Sequence, residues 1–176
     1  MKIIITGACG HIGSFLIENL SKIKKVKKAI LIDSMKTNKY NSIFKIAKRP
    51  NFSFYQKDLS IKNSLLGFKN VDVIIHCASI TDAANSFGNE KLMYKNNLGC
   101  MNTVLDYCIK NKTKLIHIST TSVYGKQANL VSESDDHLLN PQSPYADIKL
   151  IEEKLLIKNT KKIKFNSFRL REYQKA

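Results

Sequence analysis

With 176 residues, 43% hydrophobic content, seven Gly and three Pro, the chain holds enough apolar material for one good core and too little for two, so residues 1–176 are expected to form a single domain. The apolar runs at 2–5 and 71–78 are far too short to span a bilayer, and the start of the chain lacks the longer apolar core of a secretory signal, which points to the cytoplasm. The formal charge of +15 raises the question of a polyanionic partner, but nearly all of it is Lys: only Arg49, Arg169 and Arg171 are Arg, and no basic–aromatic interleaving accompanies them, so no nucleic-acid partner is expected.

Taken in chain order, residues 2–6 are a short apolar run, and 11–22 place Ile12, Phe15, Leu16 and Leu20 on one helical face. The basic stretch 22–28, with Ile23 and Val26 between its lysines, reads as the solvated end of that amphipathic helix. A second buried strand, 29–32, closes at Asp33. A short helix over 41–48, a strand at 52–55 and a helix over 60–68 with Ser60 as its N-cap follow. The next strand spans 71–76. After a polar loop from Ser79 to Asn89 comes a long helix of about 91–110, then a strand at 114–118. A loop of some 20 residues leads to a helix opening at Pro144 or Tyr145, and 163–170 alternates as a sixth strand. Alternating strands and helices demand parallel strands joined by right-handed crossovers, with helices on both faces. The fold class is therefore α/β, a Rossmann doubly wound sheet of order 3-2-1-4-5-6, which binds ligands beyond the carboxyl ends of its strands.

The turn after the first strand reads Thr6-Gly7-Ala8-Cys9-Gly10-His11-Ile12-Gly13. Gly7 permits the sharp turn, Gly10 permits close approach of a pyrophosphate, and Gly13 lets the helix pack against the sheet, with the phosphates on the helix N-terminus. Asp33 stands 20 residues beyond Gly13, where a carboxylate accepts hydrogen bonds from the adenosine ribose and repels a 2′-phosphate. This favours NAD over NADP as cofactor. Asp58 and Leu59 after the third strand, and Cys77, Ala78 and Ser79 after the fourth, share the edge of the sheet with the glycines and flank the adenine and the nicotinamide ribose. His76 reads as a packed strand-end residue. Cys9, Cys77, Cys100 and Cys108 are scattered without metal-ligand spacing, so neither a metal site nor a disulfide framework is expected.

Chemistry enters with two further segments. Tyr145 and Lys149, at i and i+4, share a helix face, and an ammonium beside a phenol stabilises phenolate, making the pair a usable acid/base. Thr120 brings a strand-end hydroxyl upstream of them.

These ordered motifs resemble the extended short-chain dehydrogenase/reductase family, in its NAD-dependent epimerase/dehydratase group that acts on nucleotide sugars. The resemblance runs from residue 2 to about 170. It includes the glycine turn, Asp33, Asp58, the Asn97-Leu98-Gly99-Cys100-Met101-Asn102 segment, Ser119-Thr120 with Val123-Tyr124-Gly125, and Pro141-Gln142-Ser143-Pro144-Tyr145 with Lys149. It implies that Tyr145 takes a proton from a sugar hydroxyl while hydride passes to the nicotinamide. Lys149 then holds the ribose and tunes Tyr145, Thr120 hydrogen-bonds the reacting oxygen, and Cys9, His11, Ile12 and Asn97 join the cofactor-binding set. Dehydratase members carry Asp and Glu after that Thr, where this chain has Thr121 and Ser122, so epimerisation or a related oxidation or reduction is expected instead. Members of the family usually continue through an Arg-x-x-Asn segment into a smaller sugar-nucleotide lobe. Here Arg169 is present, Glu172 stands where the Asn would fall, and the sequence ends at Ala176. The expectation is a Rossmann core whose substrate lobe is missing or supplied by a partner chain, and whose sixth strand leaves a hydrophobic edge. A homodimer through the helices near Lys91 and Tyr145 would use Leu92, Leu150 and Leu155. The enzyme reading is set beside a cofactor-binding module without turnover and a nucleic-acid-binding protein motivated by charge alone.

Overall fold

A computed structural model describes residues 1–20, 22–39, 51–81, 88, 90–126, 131–132 and 134–171. Its elements are β1 (Lys2–Thr6), α1 (His11–Leu20), β2 (Lys28–Asp33), β3 (Phe52–Gln56), β4 (Val73–His76), α2 (Glu90–Asn111), β5 (Lys114–Thr120), α3 (Pro144–Lys158) and β6 (Phe165–Leu170), with short 3-10 turns at Thr121–Tyr124 and Asp136–Leu138. The six strands form one sheet in the order β3-β2-β1-β4-β5-β6, as the alternation of elements requires, and every neighbouring pair is parallel.

The central strands read as unbroken apolar runs because both faces of the sheet are covered. Along β1, Ile3 and Ile5 pack with Ile17 and Leu20 of α1, and Ile4 points to the opposite side, where Met101, Val104 and Cys108 of α2 and Leu156 of α3 meet Ile30, Ile74 and Leu115. Thr6, one step beyond Ile5, shares the Ile4 face and so lies on the α2–α3 side. At the carboxyl ends of the strands the register sets Thr6 beside His76, His76 beside His117, and His117 beside Ser167. This polar row crosses four strands just below the edge where ligands bind.

Of three expected helical segments, two take other forms and one lies outside the described residues. The basic stretch 22–28 does not extend α1. Lys22 and Ile23 close turns on Asn19 and Leu20, and the amides of Lys27 and Lys28 both bond to the Met1 carbonyl, which draws the chain into the sheet. The segment 60–68 forms successive i to i+3 turns instead of an α-helix, because Asn63 and Gly67 sit at φ 66° and 94°, in the left-handed region that a right-handed helix cannot use. The segment 41–48 lies outside the described residues, as does Glu172. Among strands, β4 starts at Val73 rather than Val71, since Asp72 turns its carboxylate to the Lys2 amide (2.7 Å), and β6 starts at Phe165 rather than Ile163. Of the leucines expected at a dimer face, Leu92 is exposed, but Leu150 is buried in its own chain against Val123 and Tyr124, and Leu155 packs on the core.

The edge strand β6 is mostly exposed, with Phe168 at 50% and Leu170 at 41%. No helix among the described residues is long and apolar enough to cross a membrane. None of the four cysteines is in a disulfide.

Candidate active site

The cleft lies at the carboxyl edge of the sheet in two chambers that share Gly7, Gly10, Cys77 and Ser79. One chamber adds Asp33, Asp58, Leu59 and Ala78, and the other adds His11, Ile12, Gly13, Thr120 and Tyr145. One elongated depression therefore runs from two carboxylates, past a glycine turn, to a Thr and a Tyr.

The glycine turn explains its own composition. Gly7 has φ 64°, and a Cβ there would meet the Cys77–Ala78 backbone at 2.7 Å. A Cβ on Gly13 would lie 2.2 Å from the Gly7 carbonyl oxygen, so these two positions are fixed by packing. At Gly10 the nearest atom would be that same oxygen at 3.1 Å, and this residue opens onto both chambers, which suits a ligand that approaches the backbone closely. Behind it α1 presents first-turn amides that have no partner within their own helix, an arrangement that suits an anion.

Asp33 ties the turn to the second strand. Its Oδ2 accepts from the Cys9 amide (2.9 Å) and its Oδ1 from the Met35 amide (2.8 Å). Cys9 does not line the cleft: its thiol is buried against the Met35 sulfur (3.4 Å), and burial, aided by the Asp33 charge, pushes it up to about 12. Asp58 accepts from the Ser60 amide and hydroxyl (2.9 and 2.7 Å) and pairs with Lys36 (2.7 Å). Burial alone would raise its carboxyl, but Lys36 and Ser60 together hold it below the usual carboxylate range.

Thr6 organises the opposite wall. Its hydroxyl oxygen accepts from the amides of Cys77 and Ala78 (both 3.2 Å) and meets His76 Nδ1 at 2.8 Å. Asn97 is fully buried and both ends of its amide go to Ile80, accepting from its N–H (2.8 Å) and donating to its carbonyl (3.0 Å). It therefore secures the segment that follows β4 and does not face the cleft, whereas its neighbour Asn96 lines the first chamber. Sequence reasoning missed Asn96 and Thr37, which line the first chamber, and Thr6, which braces its wall. Thr6 was legible only as the last residue before the turn.

Thr120 ends β5 and caps the following 3-10 turn, accepting from the Ser122 amide and donating to its hydroxyl, both at 3.1 Å. Ser143 caps α3 by accepting from the Ala146 amide (3.2 Å), and Pro144 fits the first turn, so Tyr145 enters the cleft from the first turn of the helix. Tyr145 is 5% exposed among Met93 and Ile148. One turn on, the Lys149 ammonium lies 6.0 Å from the Tyr145 ring centroid, so the pair does share a face, but Lys149 is only 3% exposed and its Nζ donates to Glu152 Oε2 (2.8 Å). Below them Glu153 takes Arg169 through Nε and Nη2, accepts from the Ser119 hydroxyl, and shares Arg169 with Tyr124, which locks β5, β6 and α3 together under Thr120. Among the described residues no group of His, Cys, Asp and Glu is placed to hold a metal ion.

Two imidazoles are buried here. Burial pushes His76 down to about 3 against the pull of the Glu152 carboxylate, and burial likewise lowers His117, which meets Glu152 at 2.8 Å. Burial alone would raise Glu152, but Lys149, His117 and His76 hold it below the usual range. Both histidines are neutral when folded and take up protons on unfolding below about 6.5. Their stabilisation is thus complete above that pH and lost as pH falls below it, for His76 down towards 3 with a slope of up to about 1.4 kcal/mol per pH unit. Glu152 adds to the same loss below 4.5. Urea midpoints should fall steadily between pH 7 and pH 4.5; a flat profile would contradict the neutral, buried imidazoles.

A family model, NAD dependent epimerase/dehydratase, matches residues 3–172. Among curated relatives, the chain is 34% identical over 161 residues to an uncharacterized UDP-glucose epimerase of Bacillus subtilis, covering 88% of this chain and 50% of that one. It is 31% identical over 172 residues to a dTDP-D-glucose 4,6-dehydratase of Dictyostelium discoideum, covering 88% and 39%. Among solved structures, the UDP-glucuronic acid 4-epimerase of Bacillus cereus in complex with UDP-glucuronic acid and NAD superposes with a TM-score of 0.85 at 33% identity, over 96% of this chain and 56% of that one. The chain spans about half the length, or less, of these relatives. On the extent of the family match and on the sheet, glycine turn and Tyr–Lys helix that it covers, the chain belongs to the NAD dependent epimerase/dehydratase family.

Proposed function

We propose that this chain is the NAD-binding half of a nucleotide-sugar epimerase or a related oxidoreductase, with Tyr145 as its acid/base. The observation that carries the reading is the second chamber, where Thr120 and Tyr145 open onto the same space as the glycine turn. The glycines and the amides of α1 hold the diphosphate, and Asp33 accepts hydrogen bonds from the adenosine ribose through lone pairs that Cys9 and Met35 leave free. NAD, when bound, supplies a hydride acceptor at the nicotinamide end. Tyr145 takes the proton of the sugar hydroxyl that is oxidised and returns it on reduction. Thr120, once its hydroxyl proton turns from Ser122 towards the substrate, hydrogen-bonds the reacting oxygen, and Lys149 holds the nicotinamide ribose and favours the phenolate. No carboxylate follows Thr120, since Thr121 and Ser122 occupy the next two positions and Ser122 is turned back onto Thr120. That lack of a second acid/base argues for epimerisation over dehydration. A nucleotide-sugar substrate, a cytoplasmic setting in keeping with four cysteines outside any disulfide, and completion by a second copy or a partner chain belong to this reading.

A second reading, a cofactor-binding module without turnover of its own, is favoured by the exposed β6 edge. Steady turnover of any sugar nucleotide by the purified chain would exclude it.

Calorimetric titration with NAD and NADP, alone and with a panel of UDP-, dTDP- and GDP-sugars, tests the proposal. NAD should bind, and one sugar nucleotide should tighten it; binding of neither dinucleotide would overturn the reading. In the same assay Asp33→Asn should lose roughly 10-fold or more in preference for NAD over NADP, because it removes the charge that repels a 2′-phosphate. An unchanged preference would shift the discrimination to other residues.

A further inference from the structure

Beneath Tyr145 and Lys149 lies a carboxylate that the reaction outlined above does not use. Glu152, one turn beyond Lys149 on α3, is fully buried. Its Oε2 accepts from Lys149 Nζ and from His117 Nε2, each at 2.8 Å. His117, also fully buried, sits on β5 three residues before Thr120, and the Ser167 hydroxyl of β6 lies 2.9 Å from its Nδ1. With Nδ1 accepting from Ser167, the His117 proton resides on Nε2 and points at the carboxylate.

Burying a charged carboxylate is costly, and a buried ion pair by itself is weak evidence of stabilisation. The packing of α3 on β5 and β6 has another fastening in the Glu153–Arg169 pair and in Leu115, Leu156 and Ile163. What Glu152 adds is placement. It gathers one cation from its own helix and one imidazole from the neighbouring strand on a single oxygen, so the Lys149 ammonium is fixed relative to the strand that carries Thr120 and to the helix that carries Tyr145. The second oxygen, Oε1, has no hydrogen-bond partner among the described residues, so only the Lys149–His117 side of the carboxylate is committed.

We propose that Glu152 is a positioning residue that holds the Lys149 ammonium beside Tyr145, and that His117 orients Glu152. The inference rests on the reading that Lys149 contacts the cofactor ribose. Because Glu152 acts through Lys149, removing it should matter only while Lys149 is present.

The test is a double-mutant cycle on NAD affinity, measured by calorimetry on the full chain without sugar. Lys149→Met and Glu152→Gln should each weaken NAD binding roughly 10-fold, and the double variant should be no weaker than Lys149→Met alone. A Glu152→Gln chain that binds NAD like the parent, or losses that multiply to about 100-fold in the double variant, would overturn the proposal. If Lys149→Met itself binds NAD like the parent, the ribose contact is wrong and the positioning role falls with it, while the glycine-turn reading of the cofactor site stands. Should Glu152→Gln not fold, the same cycle is run with Glu152→Asp, which keeps the charge and draws it back by one methylene; equal effects with and without Lys149 would again count against the proposal.

Discussion

Replacing Tyr145 by Phe should lower the rate of sugar-nucleotide turnover by about 10²- to 10⁴-fold, the range over which a positioned acid/base contributes. Only the hydroxyl is removed, and the ring keeps its packing with Met93 and Ile148 in a site that is 5% exposed, so the fold should be retained. NAD binding should change little, because the diphosphate cradle and Asp33 are untouched. The check is single-turnover hydride transfer followed by nicotinamide absorbance, beside a calorimetric NAD titration of the same preparation. A parental rate with Phe in place would remove Tyr145 from the chemistry. A loss of NAD binding equal to the loss of rate would instead make it a binding residue.

The glycine turn should split two substitutions that look equivalent in sequence. Gly13→Ala would place a Cβ 2.2 Å from the Gly7 carbonyl oxygen and 2.9 Å from Ala8 Cα, both backbone atoms that no rotamer change can move. Overpacking of this kind costs about 3 kcal/mol or more, a large part of a typical domain's stability, and should lower Tm by about 6–12 °C or prevent folding. Gly10→Ala meets only one atom, at 3.1 Å, and should fold with a far smaller change in Tm. Its methyl group projects into the cleft, so it should weaken NAD binding instead. Thermal melts and NAD titrations of both variants decide the matter; equal destabilisation by the two would refute the division of labour between these glycines.

Much of this was legible in the primary structure because the physics is local or periodic. Continuous apolar runs such as 3–5 and 29–32 announce strands buried on both faces, and their alternation with helices fixed the parallel order. Gly7 and Gly13 could be read because backbone geometry allows few other residues there, Gly10 because a ligand must approach the backbone closely, and Tyr145 with Lys149 because helix periodicity places i and i+4 together. What escaped were features set by contacts distant in sequence. Asn97 stood in a recognisable segment, but only tertiary structure shows its amide spent on Ile80. Cys9 belonged to the turn, yet its side chain leaves the cleft for Met35. The helix expected at 60–68 failed because Asn63 adopts a positive φ, which no hydrophobic pattern reports. His117 and Glu152, 35 residues apart, carry no sequence signal of their pairing.

The contact between Gly7 and the Cys77–Ala78 backbone, reinforced by the two amides that Thr6 receives, has a consequence for how a ligand arrives. Two loops from different strands are welded at their bases, so the seat proposed for the middle of a dinucleotide is preorganised and little ordering entropy should be lost on binding there. Association at this seat should be a one-step encounter, with an observed rate that rises linearly with dinucleotide concentration and shows no plateau from a preceding loop closure. Discrimination among dinucleotides is then expressed in how long each one stays.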